Sequence, residues 1–218
     1  MNNISEKILK FHAQLEGDAN HRYKSWEHCY EYFSMEDAEL DIACLQMAFY
    51  LASWGMYRGS SFLLWKDYLI HKDVVAHLLS KRHLQQIDFS KATKKEVVEI
   101  FDLILWIKNW YQSNIQYING EEKKVNVTDT LATKIILGSL GCIPAYDRYF
   151  IDGIRNKGLS YSGLKPGNFT SVVNFYKQNQ DEFLTANKII LERSGMNYPP
   201  MKLVDMYFWE IGYEIDQD

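Results

Sequence analysis

Proline is scarce in this chain, four in 218 residues, and cysteine is scarcer still, at three. With 47% hydrophobic and 15% aromatic residues beside so little proline, the composition excludes a disordered or low-complexity polymer. Cys29, Cys44 and Cys142 are odd in number, widely spaced and set among apolar or aromatic neighbours. That pattern suits reduced, buried thiols and excludes a disulfide framework, and no close cysteine pair starts a zinc site. An excess of positive charge is missing too: the formal net charge is -4 and the pI near 5.9. Nothing global therefore draws the protein to phosphate backbones or anionic membranes, and any nucleic-acid contact requires a local basic patch. No uncharged run approaches the about 18 residues of a membrane span, and MNNISEKILKFHAQ lacks the features of a signal peptide. A cytoplasmic protein with no membrane partner is expected. Phosphate-binding glycine loops, metal-ligand spacings and nucleophile elbows are absent, so neither metal nor other cofactor is expected.

What is present is helical periodicity. Ile4, Ile8, Phe11 and Leu15 share one face of a helix that Gly17 ends. RYKSWEHCYEYF, residues 22–33, reads as a short aromatic helix, and Ser34 with Asp37 forms a capping-box start for a third helix. Leu40, Ala43, Cys44, Met47, Leu51 and Trp54 make that third helix apolar on most sides, until Gly55. A helix is expected from about Ser61 to Leu84, with a break near His71. Thr93 and Glu96 cap the longest periodic run, Lys94 to about Ile118. The stretch Asn119 to Val127 carries an Asn-Gly turn and a charge cluster and marks a lobe boundary, if the chain has one. Thr128 or Asp129 caps the next helix, and another runs from Asp147 to Arg155. Phe169 to Arg193 shows helical spacing with Phe175, Phe183, Leu184, Ile189 and Ile190 inward, and a terminal helix follows Pro199 and Pro200. Strand-like alternation and internal repeats are missing. The expectation is one all-α domain over residues 1–218, a bundle of about eight to ten helices.

Within that bundle, Lys134 stands out. It sits in LATKIILGSLG among Leu131, Ile135, Ile136 and Leu137, where an amine is costly unless it reaches water or a partner. It is either a snorkelling lysine on an exposed face or an amine made nucleophilic by an apolar setting. Asp147 follows Pro144 at the start of the next helix, either as a carboxylate favoured by the helix dipole or as one aimed at a cationic intermediate.

A helix with Ala-Thr-Lys, two apolar turns and then Ile-Pro-Ala-Tyr-Asp-Arg resembles the lysine and aspartate segment of the helix-hairpin-helix DNA glycosylase superfamily. More particularly, it is similar to bacterial proteins of the 8-oxoguanine glycosylase fold. The resemblance covers about 25 of the 218 residues, around Lys134 to Asp147, and implies DNA as partner, Lys134 as the amine that attacks the sugar carbon of a flipped nucleotide, and Asp147 as the carboxylate opposing the sugar cation. Tyr146 and Arg148 are the substrate-side neighbours in that segment. The glycine turn that precedes the lysine in the superfamily is replaced here by Asn126 to Thr130.

Other constellations compete with this one. Arg22 and His28 have the spacing of HEPN-type ribonucleases, in which a histidine and an arginine handle a 2'-hydroxyl and a phosphate; the alternative is that His28 and Trp26 only pack their helix. Trp54, Tyr57 and Arg58, at a helix end, could line a pocket that stacks a base, or serve as core and C-terminal cation. Lys94, Lys95, Lys123 and Lys124 read as surface charge. Met206, Tyr207, Phe208 and Trp209 carry more aromatic area than one helix face needs, so the last helix is buried all round or covers the interface of a homo-oligomer. A non-catalytic helical interaction module of the same architecture is the remaining alternative.

Overall fold

Side-chain caps at Thr93, Thr128 and Asp147 start three of the helices in the computed structural model, which describes residues 4–217. Among these residues the chain forms ten α-helices, three short 3-10 turns and one minimal hairpin, an all-α fold. The helices are α1 (Ile4–Gly17), α2 (Lys24–Ser34), α3 (Leu40–Ser53), α4 (Lys72–Ser80), α5 (Lys94–Asn114), α6 (Asp129–Ser139), α7 (Arg148–Asn156), α8 (Pro166–Gln178), α9 (Gln180–Ser194) and α10 (Pro200–Gln217). Thr93 and Glu96 form the expected capping box of α5, and the Thr128 hydroxyl accepts from Leu131 N to start α6. The hairpin pairs β1 (Tyr117–Ile118) with β2 (Glu121–Glu122) across Asn119 and Gly120, both at positive φ as this tight turn requires.

Several boundaries differ from the sequence reading. Ser34 does not start the third helix. It closes α2, donating its hydroxyl to Tyr30 O, and α3 begins six residues later at Leu40. Arg22 precedes α2 instead of lying on it. Between Ser61 and His71 the chain makes two 3-10 turns, capped by Ser61 and Asp67, instead of a continuous helix. The run after Phe169 is two helices broken at Asn179, and Leu184, expected inward, is exposed. Helix α3 is apolar beyond what its neighbours cover: it packs on α2, α4 and α6, leaving Ile42, Leu45 and Phe49 exposed. The hydrophobic core is contiguous across the Asn119–Val127 stretch, with Val125 and Val127 themselves buried in it. No helix of the described residues is long and apolar enough to cross a membrane.

Two helices lie at the centre. Every residue of α6 from Leu131 onward is buried, and so is every residue of α10 from Met201 to Gly212. Met206, Tyr207, Phe208 and Trp209 are thus covered all round by the chain itself. Helix α10 packs against α1 and α9, and most closely against α7. There two glycines let backbone meet backbone. A Cβ built on Gly153 of α7 would stand 1.9 Å from Phe208 O, and one built on Gly212 of α10 would stand 1.9 Å from Tyr149 O. Glycine in a helix interior costs about 1 kcal/mol relative to alanine, and this reciprocal approach offsets it.

Gly153→Ala and Gly212→Ala are each expected to cost about 3 kcal/mol by overpacking, read as a lower urea midpoint. Gly17→Ala, with nothing within 4 Å of its added carbon, should leave the midpoint nearly unchanged. Equal effects at all three would refute the close crossing.

Candidate functional site

The turn from Pro144 to Asp147 is held from two sides. From α6, the Thr133 hydroxyl accepts from Tyr146 N at 3.0 Å and the Thr130 hydroxyl donates to Tyr146 O at 2.8 Å. From α10, Asp205 Oδ1 accepts from Ala145 N at 2.9 Å. This clamp fixes Asp147 as the N-cap of α7, where its Oδ1 accepts from Phe150 N at 3.1 Å. Its other oxygen, Oδ2, lies 2.9 Å from Lys134 Nζ, reaching across from the second turn of α6. The aspartate thus caps one helix and binds an amine of another.

Lys134 does not snorkel to an exposed face. It is 3% exposed, and its Nζ stands 5.0 Å from the ring centre of Trp54. Over the same indole lies a second buried amine, Lys202 Nζ at 5.5 Å, which pairs with Asp205 Oδ2 at 3.1 Å. Burial pulls the Lys202 ammonium below its ordinary value and pushes the Asp205 carboxyl above its own, and each partner opposes the other's shift. Two lysine and aspartate pairs therefore flank one tryptophan, with a void of about 10 Å³ between them.

The two pairs differ in access. Lys134 and Asp147 form the floor of a cleft of about 430 Å³, walled by Trp54, Tyr149 and Trp209 and rimmed by Arg22, Arg58 and Arg148. Trp54 stacks on Tyr23 at 4.6 Å and meets Trp209 edge to face at 6.1 Å, so the aromatic wall is continuous with the core. Arg22 Nη1 donates to Ser53 O at 2.8 Å, and Arg148 Nη2 pairs with Asp216 at 2.7 Å. Arg58 is exposed, and its guanidinium makes no ion pair among the described residues. It is carried on the turn after α3, which Tyr57 anchors by a 2.8 Å hydrogen bond to the buried His71. Asp147 contributes the cleft's carboxylate, and Lys134 already neutralises it, so the rim is cationic in a chain of net negative charge.

Of the residues singled out from sequence, the cleft brings together Lys134, Asp147, Arg22, Trp54, Arg58 and Arg148. Tyr146 is not among them. Its ring turns inward, stacked on Tyr161 and against Phe150, because its peptide group is taken up by the two threonines of α6. His28 is also elsewhere: it is exposed on α2 and does not line the cleft that Arg22 rims. Lys202, Asp205 and Tyr149 are not singled out in the sequence reading, and Trp209 enters there only as part of a helix buried all round or at an interface, not as a wall of the cleft. Lys202 carried the same signal as Lys134, an amine flanked by Met201, Leu203 and Val204. Among the described residues no group of three or more histidine, cysteine, aspartate or glutamate side chains is placed to hold a metal ion.

In comparisons with known proteins, no family model, no curated protein and no solved structure matches this chain.

The enclosed pair makes a stability prediction with a definite sign. Lys202→Met leaves Asp205 buried without its cation and should cost about 3 kcal/mol near neutral pH. The folded state of this variant binds a proton on Asp205 that the unfolded chain releases. Its deficit against the parent should therefore shrink as pH falls through the raised Asp205 value toward the ordinary 3.8. Urea unfolding at a series of pH values measures this, and a deficit that stays constant or widens in acid would refute it. Lys202→Met with Asp205→Asn, which keeps an acceptor for Ala145 N, should recover most of the loss.

Proposed function

We propose that the protein acts on nucleic acid as a glycosylase or lyase, with Lys134 as the amine nucleophile and Asp147 as the carboxylate that opposes positive charge on the sugar. The observation that carries this reading is the position of one buried amine and carboxylate, 2.9 Å apart, at the floor of a cleft with an arginine rim and aromatic walls. Each part has a use in that chemistry. The arginines suit the phosphates flanking a nucleotide, and Trp54, Tyr149 and Trp209 suit a base or sugar drawn out of a stack. Lys134 gives a proton to the departing base and its nitrogen bonds to C1'. The glycosidic bond breaks with its electron pair leaving on the base, and Asp147 faces the cationic sugar. The C1'–O4' bond then breaks as a proton passes from the bonded nitrogen to O4', which opens the sugar ring and leaves an imine between Lys134 and C1'.

A second reading has its own observation. Lys202 and Asp205 form the same kind of buried pair with no cleft beside them. On that precedent Lys134 and Asp147 join α6 to α7 as a structural pair, and the protein is a non-catalytic helical module.

Borohydride trapping separates the two. With duplexes carrying an abasic site or 8-oxoguanine, the glycosylase reading expects a covalent adduct, and peptide mapping of the reduced complex should place it on Lys134. Lys134→Ala should abolish the adduct and Asp147→Asn should lower its rate at least tenfold, with thermal melts confirming that both variants fold. An adduct mapped to another lysine, or none on either duplex, would sink the reading and leave the module.

A further inference from the structure

A second cleft, of about 500 Å³, adjoins the first and shares Gly55, Met56 and Arg58 with it. Its far side is formed by the hairpin and the segment leading into α6, which contribute Lys123, Lys124, Asn126 and Thr128, and its near side by Ser60, Ser61 and Trp65. Three features distinguish it from ordinary surface. First, no carboxylate lines it among the described residues, although Glu121 and Glu122 stand next to the lysines in sequence. Second, the side chains of Arg58, Lys123 and Lys124 have no hydrogen-bond or ion-pair partner among those residues, whereas Lys66, close by, is tied to Tyr117 O at 2.8 Å. Third, Trp65 is 52% exposed, a large apolar face presented to solvent beside unpaired cations.

Unpaired cations repel one another unless an anion joins them, and an exposed indole gains from a flat apolar partner. A nucleic-acid strand supplies both at alternating positions: phosphodiesters for the cations and a base face for the indole. We infer that the second cleft is a track for the strand beside the nucleotide that enters the Lys134 cleft. Phosphates lie on Arg58, Lys123 and Lys124, a neighbouring base stacks on Trp65, and Arg58 stands at the junction where the strand passes from one cleft to the other. The inference rests on the reading that the first cleft receives a nucleotide. It goes beyond that reading in assigning residues remote from the chemistry to hold an unpaired stretch of strand.

The test is fluorescence anisotropy of the full chain with a fluorescein-labelled single-stranded oligonucleotide over a range of salt concentrations. Lys123→Ala with Lys124→Ala should weaken binding at least tenfold and flatten the salt dependence by about 0.7 per lysine removed. Trp65→Ala should weaken binding about tenfold with the salt slope unchanged, as loss of a stacked base requires. Lys94→Ala with Lys95→Ala removes the same charge from the start of α5, where Lys95 borders a different cavity, and should leave binding within twofold. All the replaced side chains except Trp65 are solvent-exposed lysines, and Trp65 is itself half exposed, so folding is not at stake. An equal loss for both lysine pairs would overturn the track, as would wild-type affinity in the Trp65 variant. Displacement of the oligonucleotide by polyglutamate as readily as by unlabelled strand would also overturn it, since the cleft would then recognise charge alone. The outcome is independent of trapping. Binding that needs Lys123, Lys124 and Trp65 without any adduct removes the lysine chemistry and keeps the track, whereas an adduct on Lys134 with binding indifferent to those three removes the track and keeps the chemistry.

Discussion

The crossing of α7 over α10 is the constraint from which the cleft follows. Because Gly153 and Gly212 carry no side chain, the two helices approach until carbonyls of one occupy the space of the other's missing Cβ atoms. That packs the first turn of α7 against the C-terminal half of α10, where Tyr149 meets Trp209 and Tyr213 and Arg148 pairs with Asp216, and brings the turn that precedes Asp147 to Asp205. The Pro144–Asp147 turn is then short enough for Asp205 to take its amide and for the threonines of α6 to take the next peptide. Side chains larger than hydrogen at the crossing would lift α7 and carry the Asp147 carboxylate away from Lys134.

Charge in the interior is the second organising fact, and its energetics are unlike those of charge outside. Surface pairs such as Lys91 with Asp88 are exposed to water and contribute little. Lys134 with Asp147 and Lys202 with Asp205 give up most of their hydration, so each ion depends on its partner and on further hydrogen bonds. The protein supplies those bonds: a backbone amide to each carboxylate and the face of Trp54 to each ammonium. The difference between the pairs is solvent access. One is enclosed, with both side chains at 5% exposure or less, whereas the Asp147 side chain is 15% exposed at the bottom of an open cleft.

How much of this was legible in the sequence depended on whether the signal was local. The capping box of α5, the threonine cap of α6 and the Asn-Gly turn are short-range chemistry and appear where the sequence puts them. Lys134 was conspicuous because an amine among aliphatic residues is costly, and Asp147 because it follows a proline at a helix start. Lys202 met the first criterion equally, but its pairing with Asp205, three residues on, is enclosed only through the tertiary burial of α10, which its own segment does not encode. Ser34 misled because serine caps helices and also back-bonds into them, and the choice between the two is made outside its own segment. The roles of Gly153 and Gly212 were invisible for the same reason. A helical glycine does not announce which neighbour it lets in. Tyr146 was expected at the cleft from its place in the motif, yet the motif sets sequence order and leaves the direction of the ring to the hydrogen bonds of its peptide.

Trp54 has a consequence of a different kind. Its indole lies under two ammonium groups that belong to different helices and different carboxylates, at 5.0 and 5.5 Å. The excited state of indole responds to the electric field along its ring, so any event that neutralises one amine or draws away one carboxylate alters the light this tryptophan absorbs and emits. The molecule therefore contains its own optical gauge, seated between the open pair and the enclosed one, with its ring in the wall of the cleft and its face turned toward the charges.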